Sequence, residues 1–133
     1  LQTSSTCGHD NPSRYPSAID ASPCGPNGFH TDSEEWPWAT VFLAGPTDVK
    51  GVVIENRAGG YNASRQVPLV VEVSEDNSSW RTVCEDSSQR DTYRIDLRGK
   101  ADRVKFVRVS RKKGAKKDYF HLNKILVYGT KLY

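Results

Sequence analysis

The fold is decided by Val-Lys-Gly-Val-Val-Ile-Glu-Asn-Arg (residues 49–57) and by Val-Pro-Leu-Val-Val-Glu-Val-Ser (residues 67–74). The first segment contains an apolar β-branched run, and in the second Leu69, Val71 and Val73 recur at period two. Both patterns are typical of β-strands. The sequence therefore predicts a hairpin whose connecting loop is unusually long, and long loops on a rigid sheet commonly carry function.

Short segments of the same kind recur along the rest of the chain. The predicted strands lie near residues 39–43, 49–57, 68–75, 80–84, 92–97, 103–110 and 119–128. Turn signals such as Ala44-Gly45-Pro46 separate them. Short strands at this spacing are typical of two packed sheets. The sequence therefore predicts an all-β fold, a two-sheet antiparallel β-sandwich of the jelly-roll kind.

Length and composition limit the possible classes of protein. A chain of 133 residues predicts a single domain over residues 1–133. The segment at about residues 1–28 contains several prolines and little periodicity, so it is predicted to be an irregular arm. Within it, Tyr15, Ala18 and Ile19 are predicted to pack on the core. No apolar run approaches the ~20 residues needed to cross a membrane, so no membrane insertion is expected. The net charge of +3 does not by itself indicate nucleic acid.

Cysteines and histidines narrow the chemistry further. With three cysteines, at least one thiol is either unpaired or paired outside the chain. A disulfide between Cys7 and Cys24 could close the arm onto the domain, and Cys84 would then be the remaining thiol. None of the three histidines lies in a nucleophile-elbow or metal-hydrolase motif. The sequence therefore predicts a protein that is not an enzyme.

Five segments, taken in order, resemble coagulation factor 5/8 type C (discoidin) domains and the related F-type fucose lectins. They are Ser-Ala-Ile-Asp at 17–20, Phe-His-Thr-Asp-Ser-Glu-Glu-Trp-Pro-Trp at 29–38, Ile-Glu-Asn-Arg at 54–57, Val-Glu-Val-Ser-Glu-Asp through Trp at 71–80, and Leu-Val-Tyr-Gly at 126–129. The resemblance covers most of the chain and implies a galactose-binding-domain-like sandwich. It also implies a secreted module, extracellular or periplasmic, that belongs to a larger multidomain protein and binds a glycan.

The resemblance implies a sugar site at His30, Arg57 and Arg65. In F-type lectins a histidine and two arginines hydrogen-bond fucose, and guanidinium forks suit vicinal hydroxyls. His30 precedes Thr31 as the family histidine does, Arg57 ends the corresponding strand, and Arg65 closes the following loop. The family's loop aspartate is replaced here by Gly59. The prediction therefore stays open between a fucose- or galactose-like sugar and an anion, and the alternative is that these side chains tie loops together.

Aromatic side chains supply further predictions. Lectins stack the apolar face of a sugar on an aromatic ring, and Tyr61 lies in the Gly-Gly-Tyr-Asn loop between the two arginines. Trp36 stands where the family often has asparagine, so it is a candidate rim or platform for the sugar. Trp38 and Trp80 are predicted to lie in the core.

A calcium site is also implied by the resemblance. Asp20, Ser22 and Asn27 resemble positions of the loop that holds Ca²⁺ in the family, and such ions need several oxygen ligands. Lys124 stands where the family's closing strand has a glutamate. Two possibilities follow: a bound Ca²⁺, or the ammonium group of Lys124 in the place of the ion.

The basic segment from Arg108 to Lys117 supports a rival function. It holds six Lys and Arg residues, which form either a solvated face or a site for sulfated or acidic glycans and anionic surfaces. Aromatic residues do not alternate with the lysines, so nucleic acid is not expected. The resemblance thus implies a non-catalytic carbohydrate-binding module or lectin, and adhesion to a protein or an anionic surface is the alternative.

Overall fold

The computed structural model describes residues 1–6, 8, 18–19, 28–56 and 63–132. In this part of the chain the strands are β1 (Gln2–Thr3), β2 (Phe29–His30), β3 (Trp38–Glu55), β4 (Leu69–Ser74), β5 (Arg81–Asp86), β6 (Thr92–Asp96), β7 (Val104–Arg111), β8 (His121–Leu122) and β9 (Lys124–Lys131). One turn of 3₁₀ helix lies at Ala63–Gln66. All of the pairings between these strands are antiparallel. The prediction of an all-β antiparallel sandwich is confirmed.

The long strand β3 contributes to both layers of the sandwich. Its first half pairs with β1 and β7, and β7 continues through β4 to β5. Its second half pairs with β6 and β9. The register shifts between Phe42 and Thr47, where the strand changes layer, as strands at the corners of sandwiches do. The turn predicted at Ala44-Gly45-Pro46 is therefore wrong, because the chain stays extended through it.

The hairpin predicted from residues 49–57 and 67–74 is also wrong. The strand β4 pairs with β5 and β7, whereas the second half of β3 pairs with β6 and β9. The two segments therefore lie in opposite layers, and the chain between them connects the layers. A period-two pattern identifies a strand but does not select its partner, because pairing depends on packing against distant residues.

The core lies between the two layers and is filled from alternate strand positions. In β7, Val107 and Val109 are fully buried, while Arg108 between them lies on the outer face. Phe29 and Phe120 are also fully buried at one end of the core, with ring centroids 5.8 Å apart. This end of the sandwich carries the two short strands β2 and β8.

Some predicted core residues lie elsewhere. Trp38 is half-buried, because the residue after it takes the inward position of the strand. Trp80 is half-buried too, with a guanidinium group above its ring rather than core side chains around it. In the arm, Ala18 is fully buried and Ile19 packs against the core, as predicted. Tyr15 lies outside the described residues.

The described residues settle part of the cysteine chemistry. Cys84 is half-buried within β5 and forms no disulfide with any residue that the structure describes. Burial, and to a smaller extent the charge of Asp86, raises the pKa of this thiol. Cys7 and Cys24 lie outside the described residues, so their pairing stays a prediction. Across the same described ranges, no helix is long and apolar enough to span a membrane.

Candidate functional site

The short strands β2 and β8 place the predicted histidine at one end of the sandwich. His30 lies opposite His121 in this antiparallel pair, and the imidazole rings stack with centroids 4.8 Å apart and an interplanar angle of 15°. Phe29 and Leu122, the other pair of the ribbon, are fully buried and anchor it in the core. His121 is fully buried, whereas His30 is half-buried. His30 is therefore held on a rigid base near the surface.

Tyr119 joins this histidine to one of the predicted arginines. The Tyr119 ring lies edge-on to the His30 ring, with centroids 5.3 Å apart. The guanidinium carbon of Arg65 lies 5.3 Å from the centroid of the same tyrosine ring. A single half-buried aromatic side chain thus brings together His30 and Arg65, which are distant in sequence. We call His30, Arg65, Asp118, Tyr119 and His121 the tyrosine cluster.

Asp118 supplies the negative charge of the tyrosine cluster. Its carboxylate oxygens lie 3.4 Å from Arg65 Nε and 3.4 Å from Lys116 Nζ. Burial raises the pKa of Asp118, but the hydrogen bond from the backbone N–H of Tyr119 and the two cations outweigh it and hold the pKa below its ordinary value of 3.8. The carboxylate is therefore ionised at neutral pH and orients Arg65 from one side.

Arg111 lies beneath the tyrosine cluster and ties its backbone together. This side chain is fully buried. Its Nη1 donates hydrogen bonds to the carbonyl oxygens of Arg65 (2.9 Å) and Tyr119 (3.1 Å). Its Nη2 donates to the carbonyl oxygens of Glu34 (2.8 Å) and Asp118 (3.1 Å). Burial lowers the pKa of Arg111, and the charges of Asp118 and Glu34 oppose that shift.

A second buried network fixes the strand that carries His121. Gln66 is fully buried, donates from Nε2 to Asn56 Oδ1 (2.9 Å) and accepts at Oε1 from the backbone N–H of His121 (3.3 Å). The hydroxyl of Thr31 accepts from the backbone N–H of Phe120 at 3.0 Å. The backbone N–H groups of the two residues after Tyr119 are thus held by buried polar contacts. Such support is what a preorganised binding site requires.

A family profile for the F5/8 type C domain matches residues 2–123. This chain is an F5/8 type C domain. The resemblance drawn from the sequence is therefore confirmed. No curated protein matches the domain significantly.

Solved structures similar to this F5/8 type C domain include three carbohydrate-binding proteins. A fucose binding module of Streptococcus pneumoniae, SpX-3, is 25% identical, with a TM-score of 0.74 over 98% of this chain and 93% of that chain. The lectin domain of lectinolysin, complexed with Lewis B antigen, is 20% identical, with a TM-score of 0.73 over 96% and 89%. Chitosan-binding module 1 from a Paenibacillus sp. IK-5 chitosanase/glucanase is 22% identical, with a TM-score of 0.68 over 96% and 92%. The last two likenesses show the fold alone.

The structure of this F5/8 type C domain brings some of the predicted residues together. His30 and Arg65 meet at Tyr119. Arg57 and Tyr61 lie outside the described residues, so their part in the site stays a prediction. Trp36 contacts a different surface, the outer face of β7, where it lies beside Arg108.

Sequence reasoning missed Tyr119, Asp118 and Arg111. The signal for Tyr119 and Asp118 was weak: an Asp-Tyr pair just before the closing strands. Arg111 was counted with the basic segment as a surface charge, although it is fully buried. Nothing in the local sequence distinguishes it from its exposed neighbours Lys112 and Lys113.

The calcium prediction for this domain receives no support from the described residues. Asp20, Ser22 and Asn27 lie outside them. Within the described ranges, no group of three or more His, Cys, Asp or Glu side chains could hold a metal ion. Lys124 is only 6% exposed and lies opposite Glu55 in the register of β9 and β3. A buried ammonium group at this position would repel a divalent cation bound nearby.

The tyrosine cluster offers chemistry suited to a hydroxylated ligand. A guanidinium group supplies paired donors, an imidazole supplies a donor or an acceptor, and an ionised carboxylate accepts. The half-buried tyrosine ring adds an apolar surface and a polar hydroxyl tip. Together these groups can hydrogen-bond vicinal hydroxyls and cover one face of a sugar ring.

Proposed function

We propose that this F5/8 type C domain is a non-catalytic carbohydrate-binding module that binds a terminal, fucose- or galactose-like sugar at the tyrosine cluster. The ligand lies against Tyr119, with its hydroxyls on Arg65 and His30. Arg57 and Tyr61, from the loop before Ala63–Gln66, complete the site in this proposal. The domain does not transform the sugar.

One observation carries this proposal. The rings of His30 and Tyr119 have centroids 5.3 Å apart, and the guanidinium carbon of Arg65 lies 5.3 Å from the tyrosine ring. Two polar groups of different hydrogen-bonding character are thus held beside one aromatic ring. Their backbones rest on Arg111 and on the buried β2–β8 ribbon, so little ordering is left to be done when a ligand binds.

The similar structures support the same class of function. The fucose binding module of Streptococcus pneumoniae is named for its sugar, and the lectinolysin lectin domain is complexed with Lewis B antigen. The chitosan-binding module comes from a chitosanase/glucanase. We propose that this domain is likewise part of a larger protein, and that this protein is secreted, extracellular or periplasmic.

The rival function, adhesion to an anionic surface through the basic segment, is weakened by the contacts of that segment. Arg111 is buried beneath the tyrosine cluster. Arg108 and Lys112 form ion pairs with Glu72 and Glu85. Charges neutralised within the domain attract an anionic surface weakly. The basic segment therefore does not form a broad positively charged surface.

The test is a glycan array followed by calorimetric titration of wild type and Arg65→Ala. Arg111 holds the backbone carbonyl of Arg65 and not its side chain, so removal of the side chain leaves that contact intact. The Arg65–Asp118 pair spans 3.4 Å, and its side chains are 26% and 21% exposed, so its loss should cost less than about 1 kcal/mol of stability. A change in binding can therefore be separated from a change in folding.

We expect a Kd on the order of 0.1–1 mM for a monosaccharide in wild type. A hydrogen bond to a charged donor contributes about 1.5–3 kcal/mol, so Arg65→Ala should weaken binding roughly 10- to 150-fold. The control is Arg98→Ala, whose side chain is 74% exposed in a pair with Asp96 and should leave binding unchanged. Glycan binding by Arg65→Ala at wild-type affinity would refute the proposed site.

A further inference from the structure

A groove on the outer face of the sheet lies apart from the tyrosine cluster. It runs over β4, β5 and β7, has a volume of about 260 Å³, and is lined by residues that include Trp36, Thr82, Glu85, Lys112 and Lys113. Pockets for drug-sized ligands have volumes of roughly 300–1,000 Å³. The groove therefore has room for one sugar ring and not for a long chain.

Trp36, which lines the groove, is held in place by Arg108, an arginine that lies next to the groove. Arg108 Cζ lies 3.9 Å from the ring centroid of Trp80 and 4.8 Å from that of Trp36, so the guanidinium group contacts both indoles. Arg108 Nη2 lies 3.1 Å from Glu72 Oε1, and the two side chains are only 13% and 16% exposed. An Arg that stacks on rings and pairs with a carboxylate is held in one geometry. Trp36 is thereby fixed while it stays half-buried.

The charges in and next to the groove do not balance. Arg108 is paired with Glu72, and Lys112 Nζ lies 2.9 Å from Glu85 Oε1. Lys113 is exposed, its Nζ lies 5.0 Å from the centroid of Trp36, and it forms no ion pair with a carboxylate of the described residues. With Arg108 beside the groove counted with Lys112 and Lys113 in its lining, three cations face two carboxylates. Lys113, beside the indole ring of Trp36, is the cation left without a carboxylate partner among the described residues.

We propose that this groove is a second sugar site, specific for a saccharide residue that carries one carboxylate or sulfate group. The apolar face of the sugar lies on Trp36, and its anionic group pairs with Lys113. Lys113 is exposed and its contact with the half-buried ring is long, so the ammonium group is held weakly, moves aside and becomes the partner of the anion. The proposal rests on the proposed carbohydrate-binding function but concerns a separate surface.

The location of the groove gives the second site a role. Lys112 and Lys113 line it, while Lys116 and Asp118, a few residues later in the same turn, belong to the surroundings of Arg65. A short segment of chain, residues 112–118, thus contributes residues to both sites. An acidic saccharide unit near the terminal sugar of a branched or linear glycan would bind in the groove, while the terminal sugar binds at the tyrosine cluster.

The test uses four monosaccharide probes: D-glucuronic acid, galactose 6-sulfate, L-fucose and D-galactose. Binding is measured by calorimetry and by the indole N–H resonance of Trp36 in NMR spectra. The variants are Lys113→Gln and Trp36→Ala, with Arg65→Ala for the other site. Lys117→Gln is the matched control, because Lys117 is an exposed lysine of the same turn that does not line the groove.

We expect at least one acidic probe to shift the Trp36 resonance in wild type. Lys113→Gln should weaken that binding about ten-fold or more, as loss of a charged hydrogen bond does, and Lys117→Gln should change it less than about two-fold. The two acidic probes distinguish a carboxylate from a sulfate as the preferred group. Trp36→Ala should lose the acidic probe while keeping the neutral sugar.

Two results would overturn the second site. One is an unshifted Trp36 resonance with both acidic probes at about 20 mM, well above the expected Kd. The other is equal weakening by Lys113→Gln and Lys117→Gln, which would mean attraction by general charge. The proposed function fails separately, if Arg65→Ala leaves binding of the neutral sugars unchanged. Arg65→Ala should leave the response of Trp36 to acidic probes intact.

Discussion

Replacement of Arg111 by methionine tests whether a buried charge holds the candidate site together. Arg111 is fully buried and donates four hydrogen bonds to backbone carbonyls, at 2.8–3.1 Å. Hydrogen bonds from a charged donor contribute about 1.5–3 kcal/mol each, so the four together stabilise by roughly 6–12 kcal/mol before any offset. The sum is an upper limit, because bonds of one side chain are not additive and the buried Nε–H of Arg111 has no hydrogen-bond partner among the described residues. The expected net loss on Arg111→Met is therefore about 3–5 kcal/mol.

The measurement is the free energy of unfolding by urea, followed by circular dichroism at pH 7. Small domains are stable by about 5–15 kcal/mol, so the variant should lose a large part of its stability yet stay folded at low temperature. Arg111→Lys should also be destabilising, because an ammonium group lacks the planar fork that spans carbonyls on both sides. The control is Arg98→Met, at an arginine that is 74% exposed, with an expected change within about 0.5 kcal/mol.

The same variant should affect binding. Arg111 contacts the carbonyl oxygens of Arg65 and Tyr119, so its loss should weaken sugar binding even at temperatures where the variant is folded. A loss of stability below about 1 kcal/mol in Arg111→Met would refute the reasoning, because it would mean that the carbonyls find other partners at little cost.

Three further predictions concern pH, packing and the strand β9. The pKa of Asp118 is lowered in the folded state, so the stabilisation by its carboxylate is present above about pH 4 and is lost as the pH falls through the folded pKa. Asp118→Asn should therefore flatten the acid side of a plot of the urea midpoint against pH. An unchanged plot would contradict this prediction. Trp38→Ala should cost about 1–2 kcal/mol in urea unfolding, less than the ~3–5 kcal/mol of a buried aromatic, because Trp38 is half-buried; a loss above that range would place it in the core. Gly129→Ala should lower the unfolding free energy by about 1–3 kcal/mol, because a Cβ there would meet the backbone of Asp48 and lie 2.9 Å from Val49 Cα. The control is Gly45→Ala, whose Cβ meets only the end of a lysine side chain. Equal urea midpoints for the two variants would contradict this prediction.

The strands could be predicted from local pattern because their period is a property of neighbouring residues. Leu69, Val71 and Val73 were placed on one face, and all three are buried in β4. The partners of the strands could not be predicted in the same way. The second half of β3 pairs with β6 and β9, and that choice depends on which distant apolar faces are buried together. The interpretation of a hairpin failed for this reason.

His30 and Arg65 were predicted by resemblance to a family, and the structure brings both to Tyr119. Trp36 was predicted for the same site, but its contacts with Arg108 and Lys113 lie on the outer sheet face. The sequence segment 29–38 holds both His30 and Trp36, so their nearness in sequence suggested a shared site. The chain turns into β3 after Trp36, and this separates the two surfaces.

The fold class could be predicted from local sequence, because alternation of apolar residues and the positions of turns act over a few residues. The role of Arg111 as an internal support, and not a surface charge, depends on contacts that form only in the folded domain. The bonds of Arg111 reach residues that are 46 and 77 positions away in the chain. A charged side chain is buried only where folding brings enough acceptors around it, and no short segment of this sequence contains those acceptors.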